Sequence, residues 1–154
     1  MADRHNRDID REFAPLPEPL PVAVADAHAH LEIVTNDTPD SDAVRKVLDE
    51  AKSVGVDRIV QVGYSAEQSQ WCAALADLYP GRVLAAVALH PNEAPVVEDL
   101  AADMAIIERL AHLPRVRAIG ETGLDYFRLK GDLEWQRERF RVHLRAANVC
   151  KKPV

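Results

Sequence analysis

The feature that most constrains the fold is a fourfold alternation of strand-like and helix-like apolar patterns. The strand patterns cover Val22 to Asp26, Arg58 to Val62, Val83 to Leu89 and Arg115 to Ile119. Helical spacing of apolar residues follows each of them, over Asp42 to Val54, around Trp71 to Leu78, over Leu100 to Leu110 and over Leu133 to Val149. Strict alternation of this kind is typical of a parallel sheet with helical crossovers. The sequence therefore predicts an α/β fold of four β/α units.

Two architectures satisfy this alternation. An open doubly wound sheet fits the length of 154 residues. A closed TIM-type (β/α)8 barrel needs roughly 250 residues, so only its first half fits. Residues Lys151 to Val154 look like the first step into another strand, and such an abrupt ending fits the half-barrel.

The helical patterns also predict which side chains are buried. On the second helix, Trp71, Ala74, Leu75 and Leu78 share one face, and on the last helix Leu133, Phe140, Leu144 and Ala147 do so. We expect these faces to cover the sheet, because an amphipathic helix buries its apolar stripe.

Composition sets the domain organisation and excludes several classes of protein. Residues 1–21 carry prolines at 15, 17, 19 and 21 and are expected to form a flexible extension, with the domain over residues 22–154.

The 25 acidic and 19 basic residues give a net charge of -6, which argues against a broad cationic nucleic-acid surface but not against local phosphate contacts. Without a membrane span or secretory signal the expected location is cytoplasmic. We expect Cys72 and Cys150 to be reduced and structural.

The segment at the end of the first strand suggests a metal site. His28 and His30 are two residues apart, so on a strand both imidazoles point to the same side and can bind one ion. A solvated pair of loop histidines is equally compatible with this spacing, which is weak evidence when taken alone.

A second candidate ligand follows the fourth strand. Glu121 lies between Gly120 and Gly123 at the carboxyl end of that strand, where α/β enzymes place their working groups. Its carboxylate is a hard oxygen ligand that is able to bridge two divalent ions. The alternative is that the glycines shape a turn and leave Glu121 solvated.

Three further residues are candidates for substrate contact. His90 directly follows the third strand, and we favour substrate contact over metal ligation for it. Asp125 is expected to hold neighbouring groups in place, and Arg128 to bind a phosphate oxygen or form a surface salt bridge. We expect structural or solvated roles for the remaining histidines, which are His5, His112 and His143.

Taken together, these motifs resemble those of the TatD family of metal-dependent deoxyribonucleases. The resemblance covers about residues 22 to 154, through Asp26 to Leu31, Leu89 to Pro91, Gly120 to Tyr126 and Trp135 to Phe140 leading into Lys152 to Val154. It implies an amidohydrolase-type β/α barrel that uses one or two divalent ions, Mg²⁺, Mn²⁺ or Zn²⁺, to hydrolyse DNA, often from a 3′ end. It also implies that His28 and His30 bind one ion and that Glu121, the catalytic carboxylate, is shared by both.

The chain departs from the family pattern in two ways. Asn92 stands where family members commonly have a second histidine. The pattern also stops near the middle of the barrel, before a later histidine ligand and a late aspartate. Three functions therefore stay open: a DNA-cleaving hydrolase of the TatD type, a related amidohydrolase acting on a small amide or ring, and a catalytically silent half-barrel that forms a homo-oligomer or pairs with a complementing second half.

Overall fold

Four strands alternate with helices in the residues that the structure describes, which are 14–92, 99–128 and 132–154 of a computed structural model. The strands are β1 (Val24–Ala29), β2 (Val56–Val62), β3 (Val83–Ala86) and β4 (Val116–Ala118). The helices are α1 (Leu31–Thr35), α2 (Asp42–Ser53), α3 (Ala66–Leu78), α4 (Leu100–Ala111) and α5 (Leu133–Cys150). The four predicted β/α units are confirmed.

The strands form one parallel sheet in the order β1-β2-β3-β4. In this register Asp26 pairs with Ile59, Gln61 with Ala85 and Ala86 with Ala118. A doubly wound sheet reverses its strand order partway, whereas a barrel adds each strand beside the previous one. The sequential order therefore selects the half-barrel, and it puts the carboxyl ends of all four strands at one edge.

Side-chain caps explain where the four longer helices begin. The cap residues Ser41, Ser65, Asp99 and Asp132 each accept a hydrogen bond from a backbone N–H of the first turn. Such caps satisfy backbone donors that a helix leaves without an internal partner. The starts of these helices are thus encoded locally.

The boundaries of several elements differ from the sequence prediction. β1 runs from Val24 to Ala29 rather than from Val22 to Asp26, so His28 lies inside the strand. The short helix α1 was not predicted, because five residues are too few to show a helical period. At the other end of the chain the Ile119 N–H donates to the Pro153 carbonyl at 2.9 Å, beside β4, where the sequence predicts the next strand to begin.

Two predicted helix faces are partly wrong. In α3, Leu75 is fully buried but Leu78 is 51% exposed, and the buried face instead contains small and polar residues such as Ser69 and Cys72. In α5, Leu144 is exposed, and the buried face is formed by Gln136, Arg139, His143, Ala146 and Ala147. Hydrophobicity alone misassigned these faces because both helices bury polar side chains that bond to neighbouring loops.

Part of the predicted N-terminal extension lies outside the described residues, which begin at residue 14. Within the described part, the Leu20 N–H donates to the Val54 carbonyl at 3.0 Å. Leu20 also packs against Gly55, whose φ of 94° suits glycine and where an added Cβ would come within 3.0 Å of the Leu20 Cβ. None of the described helices has the length and apolar content needed to cross a bilayer.

Neither cysteine forms a disulfide. Cys72 is fully buried on α3, and burial raises the pKa of its thiol to about 12. A thiol with so high a pKa is inert at neutral pH, in agreement with the predicted structural role.

His143 links α5 to the segment that follows β3. Its Nε2 accepts a hydrogen bond from the Leu89 N–H at 3.0 Å, and its Nδ1 donates to the Arg139 carbonyl at 2.9 Å. Burial lowers the pKa of His143 below its ordinary value, and the hydrogen bond to Arg139 opposes only part of this effect. The side chain is therefore a neutral, structural group.

The exposure difference on α3 gives a test of core packing. Leu75→Ala is expected to lower the free energy of unfolding by about 2–5 kcal/mol, because it leaves a cavity in the core. Leu78→Ala, the matched control on the same helix, is expected to cost well under half as much. Urea unfolding followed by circular dichroism measures both, and equal losses would contradict the burial described above.

The buried histidine makes stability depend on pH. Because the folded-state pKa of His143 lies below 6.5, the unfolded chain binds more protons in the window between the two values. Its contribution to stability is complete above pH 6.5 and is lost as the pH falls through the folded-state pKa. His143→Gln is expected to flatten this part of the pH profile of the urea midpoint, and His112→Gln, on the exposed surface, is the matched control. An unaltered slope in His143→Gln would refute the assignment.

Candidate metal centre

Four side chains meet at the carboxyl edge of the sheet. His28 lies near the end of β1, His30 follows it, and His90 and Glu121 follow the chain segments of β3 and β4. The Glu121 carboxylate lies between the three histidines. Its Oε2 is 3.7 Å from His28 Nε2 and 3.8 Å from His30 Nε2. Its Oε1 is 3.5 Å from His90 Nε2.

Three of these atoms fit a divalent ion. His28 Nε2 and His30 Nε2 are 3.2 Å apart, and with Glu121 Oε2 they form a nearly equilateral triangle. A point equidistant from the three atoms lies about 2.1 Å from each, which is the bond length of Zn²⁺ to imidazole nitrogen or carboxylate oxygen. Two imidazoles and one carboxylate also form the donor set of catalytic zinc sites that keep a position open for water. The residues therefore fit a metal ion in geometry and in chemistry.

The centre is open to solvent on the concave face of the sheet. The side chains of His28, His30 and Glu121 are 52%, 25% and 35% exposed. The apolar floor beside them includes Val62 and Ala86, from the two middle strands. A ligand can thus approach the edge of the sheet directly.

His90 differs from the other two histidines in its hydrogen bonding. Its Nδ1 accepts a hydrogen bond from the Asn92 N–H at 3.1 Å, so in the neutral imidazole the proton is on Nε2. In that tautomer Nε2, which lies 3.5 Å from Glu121 Oε1, lacks the lone pair that a metal ligand needs. Contact between His90 and substrate stays a prediction.

Asp125 organises the loop that follows Glu121. Its Oδ1 accepts hydrogen bonds from the backbone N–H groups of Phe127 and Arg128 at 3.0 and 2.9 Å. Its Oδ2 accepts from Asn92 Nδ2 at 2.5 Å, which ties this loop to the one that carries His90. The hydrogen bond from Arg128, with that from Asn92, lowers the pKa of Asp125. The carboxylate is thus engaged within the protein, and direct contact of Asp125 or the exposed Arg128 with substrate stays a prediction.

Sequence reasoning missed two residues that support this loop. Gln136 is buried on α5, where its Oε1 accepts from the Asp125 N–H at 3.0 Å and its Nε2 donates to the Asp125 carbonyl at 3.3 Å. In the sequence, Asn92 stands out only as a departure from a family pattern. The sequence signal for the role of Gln136 is its place on the side of the helix that faces the sheet. A buried side-chain amide needs hydrogen-bond partners, so a glutamine at such a position indicates a contact with a neighbouring loop.

Comparisons with known proteins agree on one family. A sequence model of the family described as TatD related DNase matches residues 25–154. An uncharacterized metal-dependent hydrolase TatD from Mycobacterium tuberculosis (strain ATCC 25618 / H37Rv) is 41% identical over 120 residues, which cover 75% of this chain and 44% of that protein. A 3′-5′ ssDNA/RNA exonuclease TatD from Erwinia tasmaniensis is 34% identical over 109 residues, covering 71% of this chain and 41% of that protein.

Solved structures show the same relationship. The crystal structure of YJJV, a TatD homologue from Escherichia coli K12, superposes with a TM-score of 0.69 at 27% sequence identity over 84% of this chain and 48% of that one. A TatD family hydrolase from Entamoeba histolytica has the same fold, with a TM-score of 0.69, 18% identity and coverage of 86% of this chain and 48% of that one. The present chain therefore spans a little under half the length of the relatives it matches. The predicted partial TIM-type barrel is confirmed.

The metal centre can be tested by direct binding. Loss of an outer partner of a metal ligand typically weakens binding about 10–100-fold, so Glu121→Gln, a change at a predicted direct ligand, is expected to weaken Zn²⁺ binding at least about tenfold. Glu67→Gln, the same change on an exposed site of α3, is the matched control. Competition with a chromogenic chelator measures both affinities, and equal affinities in the two variants would rule out Glu121 as a ligand.

Proposed function

The chain belongs to the TatD related DNase family, and from that premise we propose that it carries the metal-binding part of a hydrolase that cleaves DNA phosphodiester bonds, working from a 3′ end. The observation that carries the proposal is that His28, His30 and Glu121 each bring one candidate ligand atom to the same place. These three atoms lie within 4.8 Å of one another, close enough to bind one ion. A divalent ion held there supplies Lewis-acid polarisation of a phosphoryl oxygen and lowers the pKa of a water molecule.

Within this proposal, the protein's own groups bind and orient the phosphate. The Nε2–H of His90 faces the centre and donates a hydrogen bond to a phosphoryl oxygen. The guanidinium of Arg128 binds a second oxygen, and Asp125 holds the Arg128 backbone in the loop beside the centre. Since the chain has a net charge of -6, these local donors and the ion are what attract an anionic substrate.

The donor set is compatible with Zn²⁺, Mn²⁺ or Mg²⁺, because imidazole suits the first two and a carboxylate accepts all three. The Glu121 Oε2 faces His28 and His30 whereas the Oε1 faces His90. We therefore propose that Glu121 would be shared by both ions if a second ion binds.

We also propose that the active enzyme contains further barrel strands that pair beside β1, such as those of a second copy of this chain. The support is β1, whose residues are exposed except for the partly buried Ala29 although this strand carries His28. An open parallel strand edge is a site for pairing. We propose that the enzyme acts in the cytoplasm.

The activity is tested with this chain and a 3′-labelled single-stranded DNA oligonucleotide. Divalent ions are expected to support release of the 3′ nucleotide, and chelation or Glu121→Ala is expected to reduce release by about 10²-fold or more, since the mutation removes an ion ligand. Glu67→Ala is the matched control and is expected to retain the activity.

Three results would contradict the proposal. Release that survives both chelation and Glu121→Ala would come from another source. Absence of release from DNA by the ion-loaded chain, with turnover of small amides or rings, would instead favour the related amidohydrolase, and absence of any turnover would favour a silent half-barrel.

A further inference from the structure

A buried carboxylate lies directly beside one of the metal ligands. Glu32, in the first turn of α1, is only 8% exposed, and its Oε1 is 3.3 Å from His30 Nδ1. Burying a charged group is unfavourable unless hydrogen bonds compensate it. The position of Glu32 therefore depends on its hydrogen-bond partners.

One partner is the fully buried side-chain amide of Gln61 on β2. Its Oε1 accepts a hydrogen bond from the Leu31 N–H at 3.0 Å. A backbone N–H only donates, so this bond fixes which end of the amide is the acceptor. The other end, Nε2, consequently donates to the Oε2 of Glu32.

The fixed orientation of the Gln61 amide also determines which atom of Glu32 faces His30. With its Oε2 engaged by Gln61, Glu32 presents Oε1 as an acceptor to Nδ1 of His30. A neutral imidazole has one N–H, and a carboxylate acceptor draws that hydrogen to the nitrogen it faces. Nε2 of His30 is then left with a lone pair, and this nitrogen lies 3.8 Å from Glu121 Oε2.

We propose that Glu32 and Gln61 are positioning residues that hold His30 in the Nδ1–H tautomer and so keep its Nε2 available for the metal ion. The inference rests on the proposed function, because it assigns His30 as a ligand. His90, in the same cluster, is held in the opposite tautomer by the Asn92 N–H, which makes it a built-in reference.

The unmodified, metal-free protein provides the first test. Long-range ¹H–¹⁵N NMR spectra distinguish the two imidazole tautomers, and we expect His30 as Nδ1–H and His90 as Nε2–H. Finding His30 as Nε2–H in this spectrum would overturn the proposal without any variant. This measurement needs no metal, so it is independent of whether the chain is a hydrolase.

Glu32→Gln provides the second test at nearly constant volume. Gln61 still donates, so the new side-chain amide has to turn its oxygen to Gln61 and its NH₂ to His30 Nδ1. We expect His30 to change to the Nε2–H form and Zn²⁺ affinity to fall about 10–100-fold, while His90 keeps its tautomer. Glu67→Gln is the matched control and leaves both readouts unchanged.

The double variant Glu32→Gln/Gln61→Glu reverses the hydrogen-bond direction. A carboxylate at position 61 accepts from both the Leu31 N–H and the new amide NH₂, so the amide oxygen turns to His30. We expect the Nδ1–H tautomer to return and Zn²⁺ affinity to recover most of its loss. A purely structural role for Glu32 predicts no such recovery.

The outcomes separate this inference from the proposed function. A tautomer switch in the single variant with recovery in the double variant supports the inference, and a parallel change in Zn²⁺ affinity supports the ligand role of His30 as well. A tautomer switch without any change in affinity contradicts the ligand role and with it the stated purpose of the network. Retention of the Nδ1–H tautomer in a folded Glu32→Gln variant overturns the inference.

Discussion

The rest of the structure depends on the parallel pairing of β1 to β4 in sequential order. Parallel strands share one carboxyl edge, so residues that are about 90 positions apart in the sequence, such as His30 and Glu121, come within 3.8 Å of each other. No long loop is needed to bring them together, because each side chain only has to follow the end of its strand. The sheet therefore provides the coarse placement of the centre, and the local hydrogen bonds described above only have to orient it.

Orientation in this centre is set by backbone N–H groups, which can donate but never accept. The Asn92 N–H acts directly on His90, and the Leu31 N–H acts on His30 through two intervening side chains. The same kind of group thus favours opposite tautomers in the two histidines, Nε2–H in His90 and Nδ1–H in His30. This explains how one cluster can offer both a nitrogen with a free lone pair and a hydrogen-bond donor.

The sequence predicts the elements well because their signals are local. Helix caps such as Ser41 and apolar runs such as Val83–Ala86 need no tertiary information, and the spacing of His28 and His30 indicates their shared side. The buried face of α3 could not be predicted from hydrophobicity, since Leu78 is exposed while the polar Ser69 is buried against the Ala88 backbone. Burial of a polar side chain such as Ser69 depends on which backbone groups lie beside it, and these come together only when the sheet has formed.

Two of the three candidate ligands lie on or just after the most exposed strand of the sheet. β1 pairs only with β2 among the described strands, so its position relies on that one ladder and on the residues that follow it. Gln61 connects the two elements, because it lies on β2 and accepts from the Leu31 N–H just beyond β1. The network that orients His30 therefore also fastens the end of β1 to the buried part of the sheet. An ion bound to His28, His30 and Glu121 would join β1 to β4 across the concave face, so ion binding and order of the edge strand would stabilise each other.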